Sequence, residues 1–105
     1  MNILFVCSRN QCRSRTAEVI FADSEEHVVR SAGTAASARI KVNEAMLLWA
    51  DLVFCMENEH RDILNQRFPT ATRDLRLIVL DIEDEYKFMD TELIEELEIA
   101  TAPYF

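Results

Sequence analysis

A three-layer α/β fold is what the sequence predicts: an open, four-stranded parallel sheet with helices on both faces. Three observations carry it. Four apolar runs of strand length recur along the 105 residues, helical patterns separate them, and most of the runs lack the polar alternation of a sheet with one wet face. The first run, Asn2 to Cys7 (NILFVC), is apolar nearly throughout and reads as a strand buried on both sides. Ser14 can then cap a helix whose Ala17, Ile20 and Phe21 share one face. The second run, His27 to Ser31 (HVVRS), alternates and marks an edge, whereas Leu52 to Met56 (LVFCM) is continuous again. Glu57 to Phe68 sets Ile63, Leu64, Arg67 and Phe68 at helical spacing, and Leu75 to Leu80 (LRLIVL) reads as a fourth strand, also buried. A last helix fits Asp90 to Ala100 with Asp90 as its cap. Ligands of such sheets bind beyond the carboxyl ends of the strands, where Cys7 lies.

Composition narrows the function. No repeat or glycine- or proline-rich linker divides the chain, so residues 1–105 are expected to form one domain. A net charge of −8 argues against nucleic acid or an anionic membrane as partner. No run is long enough to span a bilayer or is flanked like a secretory signal, and a cytoplasmic protein is expected. Cys7, Cys12 and Cys55 are too few and too irregular for a disulfide framework or a metal site, so reduced thiols are expected.

The stretch FVCSRNQCRSRTAE, residues 5 to 18, carries the chemistry. Cys7 and Arg13 are separated by five residues that link a buried strand to a helix start. Successive backbone N–H groups in such a loop converge, the helix N-terminus adds positive potential, and Arg13 offers a planar fork for two oxygens. A phosphate-sized dianion suits that cradle. The same field would favour Cys7 as a thiolate nucleophile, with Ser14 as a donor to its sulfur.

ILFVCSRNQCRSRTAE resembles the phosphate-binding loop of the low-molecular-weight protein tyrosine phosphatases. VRSAGT (29–34), ADLVFCM (50–56) and DIEDEY (81–86) resemble, in the family's order, its second strand, third strand and acid-bearing loop. The resemblance implies strand order 2-1-3-4 and a phosphomonoesterase of phosphotyrosine that forms a cysteinyl phosphate without metal or cofactor. It implies that Cys7 is the nucleophile, Arg13 the phosphoryl clamp and Asp84 the general acid. Ser8, Arg9, Asn10, Gln11, Cys12, Arg13 and Ser14 would bind phosphate, Asn10 would hold the loop with support from Ser31, and Tyr86 would stand at the pocket mouth. Implied partners are a phosphorylated protein or small aryl phosphate, with inorganic phosphate, sulfate or vanadate as ligands. Departures are visible too: Arg15 and Glu85 stand where the family usually has proline, and Gly33 to Ala50 is shorter than its counterpart, implying a shallower pocket.

Other residues read more plainly. Cys12 could close a disulfide with Cys7 or pack beneath the cradle, while Cys55 belongs in the core. His27 and His60 read as solvated surface residues, Trp49 as packing, and Glu92, Glu95, Glu96 and Glu98 as a solvated helix face. Two other functions use such a loop. Arsenate reduction needs further redox cysteines, and none follows Cys55. A noncatalytic module for phosphorylated or sulfated ligands would not require Cys7, Arg13 and Asp84 together.

Overall fold

A computed structural model describes all 105 residues. Strands β1 (Asn2–Cys7), β2 (Val28–Gly33), β3 (Leu52–Cys55) and β4 (Arg76–Val79) form one parallel sheet in the order β2-β1-β3-β4. Helix α1 (Arg13–Ile20) follows β1, α2 (Glu44–Trp49) precedes β3, α3 (Asn58–Arg67) and α4 (Pro69–Thr72) precede β4, and α5 (Thr91–Thr101) runs into a final 3₁₀ turn.

The two-residue period of a strand explains the layering. Along β1 and β3, Ile3, Phe5, Cys7, Leu52 and Phe54 join Ala17 of α1 and Leu93 and Leu97 of α5 in one core. The alternate residues Leu4, Val6, Val53 and Cys55 join Leu47 of α2 and Leu64 of α3 in the other. Both faces are therefore apolar, as the unbroken runs require. Each fully buried Leu, Ile or Phe contributes about 1.5–3 kcal/mol, so the central strands form the rigid base of the molecule.

Differences from the sequence reading lie mostly at the edges. β4 is only half-buried, because nothing pairs with its outer side. Two helices were not legible as periodic patterns, being too short to show a face. Local signals marked them nonetheless: Asn43 caps α2 by accepting from Met46 N at 2.9 Å, and Pro69 opens α4 at a position where its missing N–H costs nothing. Ser14 is not the cap of α1. The cap position is Cys12, whose side chain makes no capping bond, and Ser14 lies inside the first turn, buried. Asp90 does cap α5, accepting from Glu92 N at 2.9 Å. No helix is long and apolar enough to cross a membrane.

Candidate active site

Strand β1 delivers Cys7 to the carboxyl edge of the sheet, and the chain must reverse within five residues to start α1 at Arg13. The reversal passes through Asn10, whose φ of 58° lies in the left-handed region that asparagine tolerates better than most residues. Asn10 is fully buried. Its backbone N–H donates to Cys7 Sγ at 3.3 Å, and its amide donates to Ser14 Oγ at 2.7 Å. Because Ser14 Oγ already accepts from Asn10, its own proton is free for Cys7 Sγ, 2.9 Å away; the Ala32 carbonyl, at 3.4 Å, is the weaker alternative. Two donors thus converge on the sulfur, an arrangement that suits a thiolate.

The cradle is held from outside by the segment after β2. Thr34 N donates to Cys7 O, Ala35 N to Ser8 O and Arg39 N to Arg9 O, each at 2.9 Å, and Arg39 Nε donates to Asn10 O at 3.0 Å. With these carbonyls turned outward, the backbone N–H groups of Ser8, Arg9, Gln11, Cys12, Arg13 and Ser14 meet no protein acceptor. Main chain arranged in this way can hold an anion. The chain's single glycine serves it from the neighbouring strand. A Cβ at Gly33 would overlap the Ser8 carbonyl oxygen and come within 2.7 Å of Ala38 Cβ and 3.0 Å of Asn10 N. Close approach, not backbone conformation, requires glycine there.

Arg13 is buried, and one edge of its guanidinium is pinned: Nη1 donates to Glu57 Oε1 and, at 2.7 Å, to the Ile82 carbonyl. The Nε–Nη2 edge makes no protein hydrogen bond, which leaves the fork suited to two phosphoryl oxygens. Asp84 Oδ1 stands 3.9 Å from Nε. A cavity of about 240 Å³ is lined by Cys7, Arg9, Gln11, Cys12, Arg13 and Asp84. The nucleophile, clamp and acid expected from the sequence therefore share one cavity, at a sheet edge that no residue between 33 and 50 walls in.

Other expectations need correcting. The side chains of Ser8, Asn10 and Ser14 do not line the cavity, so Ser8 and Ser14 offer it only their backbone N–H groups; the Asn10 and Ser14 side chains are buried behind it, and Ser8 turns its hydroxyl toward His60 at 2.8 Å. Ser31 does not support Asn10. It pairs with Phe5, so its side chain faces the α1 layer and donates to Glu18 Oε1, while Asn10 Oδ1 has no partner. Tyr86 lies away from the cavity, packed against the α1–α5 core; partial burial, then the Glu96 and Glu85 carboxylates, push its phenol up to about 12. Cys12 is a free, half-buried thiol on the cavity wall and does not pack beneath it. Cys55 is core as expected, and burial pushes its thiol up to about 12.

Glu57 and His60 were missed as site residues. Both belong to α3, where Glu57 is the cap and its side chain accepts from the backbone N–H of His60. The imidazole returns the bond, accepting from Glu57 N through Nδ1 at 3.1 Å. Nδ1 is thus an acceptor, and the proton sits on Nε2, which donates to Ser8 Oγ. His60 is fully buried, not solvated; burial first, and the Arg13 charge second, lower its pKa. The available signal was an acidic residue at the carboxyl end of β3, three before a histidine, in place of the usual Ser/Thr and Glu/Gln capping pair. His27 is likewise half-buried, stacked on Phe105 with centroids 5.2 Å apart.

The sequence model of the low molecular weight phosphotyrosine protein phosphatases matches residues 2–48, the part holding the cradle and its outer support. A protein-arginine-phosphatase of Bacillus subtilis (strain 168) is 32% identical over 95 residues, covering 65% of this chain; the chain spans 63% of that relative's length. Among solved structures, the tyrosine phosphatase Wzb from Escherichia coli K30 in complex with phosphate aligns with TM-score 0.77 at 21% identity, covering 98% of this chain and 94% of that one. The YwlE arginine phosphatase from Geobacillus stearothermophilus aligns with TM-score 0.70 at 24% identity, covering 97% and 84%. The sheet order, the loop between β1 and α1 and the sequence match over residues 2–48 agree in making the chain similar to the low-molecular-weight phosphotyrosine protein phosphatases.

Proposed function

We propose that the chain is a phosphatase acting through a phosphoryl group carried on Cys7. The observation that supports this best is the convergence of a doubly hydrogen-bonded Cys7 Sγ, unpartnered loop N–H groups and the open edge of Arg13 on a cavity that also holds Asp84. Bound phosphoryl oxygens would lie on the N–H groups and the Arg13 fork, with phosphorus in front of the sulfur. Cys7 Sγ attacks, an S–P bond forms, the bond to the leaving group breaks, and Asp84 gives that group a proton. Water then attacks phosphorus, Asp84 takes its proton, the S–P bond breaks and phosphate leaves.

The leaving group divides two readings. Phosphotyrosine is the substrate implied by the resemblance of the loop. Phosphoarginine is favoured by a specific observation: no aromatic residue lines the cavity, Gln11 offers an amide there, and the Bacillus subtilis relative is a protein-arginine-phosphatase. Steady-state hydrolysis of matched phosphotyrosine and phosphoarginine peptides, with EDTA present, tests both. Vanadate-sensitive turnover of either peptide supports the phosphatase, and the ratio of kcat/KM identifies the leaving group. Tight oxyanion binding without turnover of any phosphoester or phosphoramidate would make the domain a binding module.

A further inference from the structure

The cap of α3 is built into the site in a way that the phosphatase reading does not require. Of its two members, Glu57 reaches Arg13, the last residue of the cradle, and His60 reaches Ser8, the first after the nucleophile. The same two residues bond each other reciprocally, His60 N to the Glu57 side chain and Glu57 N to His60 Nδ1. A single helix turn therefore grips both ends of the phosphate loop, across 44 residues of chain on one side and 52 on the other.

We propose that His60 is a positioning residue for the phosphate loop, and that it holds the loop only while its imidazole is neutral. The reasoning follows from the hydrogen-bond inventory. A neutral ring with hydrogen on Nε2 accepts from Glu57 N and donates to Ser8 Oγ. A second proton on Nδ1 would place two N–H groups face to face, open the reciprocal cap and release Glu57, the residue that orients Arg13. The charged groups facing the ring are Arg13 from α1, Glu57 and Glu59 from α3, and Asp84 from the acid loop. Burial dominates among these influences, and Arg13 adds to it. The sign is then fixed: the folded form resists protonation more than the unfolded chain does. The cap's contribution is fully present above the ordinary histidine value of about 6.5 and is lost as pH falls below it, through the depressed folded value.

This inference rests on the loop being an oxyanion site, and sulfate binding tests it without requiring turnover. Sulfate keeps its dianionic charge between pH 5 and 8, so its affinity reports the protein alone. The proteins are the native chain, H60Q and H60A, each checked for fold by circular dichroism, with sulfate dissociation constants measured by calorimetry across that range. Glutamine at this position can keep both bonds, an acceptor for Glu57 N and a donor for Ser8, but cannot titrate. The native chain should lose about tenfold in sulfate affinity on acidification, H60Q should stay within about threefold of its value at pH 8, and H60A should be weak at every pH, each alanine loss being comparable to removing one buried hydrogen-bond partner. Nitrogen-15 shifts of the native imidazole should show the Nε2–H tautomer at pH 8. A plain Coulombic effect has the opposite sign, because a nearby imidazolium would strengthen anion binding. Sulfate binding that tightens on acidification in the native chain, or that varies equally in the native chain and H60Q, would overturn the proposal. No sulfate binding by the native chain at any pH would instead overturn the oxyanion site itself.

Discussion

The two loops that meet at the cavity are built by opposite means. The cradle from Ser8 to Cys12 has carbonyls bonded to a neighbouring segment, a buried asparagine at its reversal and a clamp arginine whose side chain is 3% exposed. The backbone of the acid loop is hydrogen-bonded to the rest of the fold only near its ends. Ile82 N donates to Met56 O at 2.9 Å and Met89 N to Thr16 Oγ1 at 3.0 Å; between them the backbone hydrogen bonds are local, from Glu85 N to Glu83 O at 3.0 Å and from Asp90 N to Lys87 O at 3.1 Å. Asp84 is 66% exposed. Non-glycine residues with positive φ, Asp81 at 57° and Met89 at 63°, bracket the span. In the proposed mechanism, oxyanion binding would be preorganised in the fold, whereas proton delivery by Asp84 would depend on a more exposed segment. The two functions should be separable by mutation.

Loss of the Arg13 fork should cost most. Arg13→Lys keeps a positive charge but loses the planar fork and the bonds to Glu57 and Ile82, so kcat/KM should fall by about 10³-fold or more, with sulfate affinity falling alongside. Retained sulfate binding in that variant would mean that the main chain, not the fork, holds the anion.

Asp84→Ala should break the other half of the comparison. Hydrolysis of phenyl phosphate should fall by about 10²-fold or more while an activated nitrophenyl ester suffers far less, because proton donation helps most when the leaving group is poor. Sulfate affinity should not fall. Asp81→Ala and Asp90→Ala should show no dependence on the leaving group; Asp90→Ala should instead cost about 1 kcal/mol of stability through the lost cap of α5. A steep dependence in either of those variants would move the acid away from Asp84.

A subtler probe is Gly33→Ala, which touches neither nucleophile nor acid. The added methyl must displace both the Ser8 carbonyl and Ala38, a cost of about 1–3 kcal/mol, and sulfate affinity should weaken by about tenfold with the fold intact. Because the acid loop is untouched, the preference between phenyl and nitrophenyl esters should stay as in the native chain.

Legibility in the sequence follows the same divide between local and distant contacts. The strand, the loop and the helix start lie within a dozen residues, so Cys7, Arg13 and Ser14 announced themselves by type and spacing, while Asn10 came with the family resemblance. Sheet order came with the family resemblance, and burial on both faces came from the unbroken runs. Glu57, His60, Gly33 and Arg39 did not announce themselves, because their role depends on chain reversals that bring β2 and α3 against the loop. A histidine flanked by Glu59 and Arg61 looks solvated until the cap that buries it is known. Tyr86 and Ser31 were misplaced for a related reason: a motif fixes a residue's position along the chain, while strand register and loop path decide where the side chain points.

In the proposed mechanism phosphorus passes through Cys7. Rapid acid quenching during turnover, followed by peptide mapping by mass spectrometry, tests it most directly. A phosphoryl group on Cys7 that appears within one turnover and vanishes as substrate is exhausted is the predicted result. Full turnover with Cys7 unmodified, or with the phosphoryl group on any other residue, would rule out a cysteinyl phosphate on Cys7.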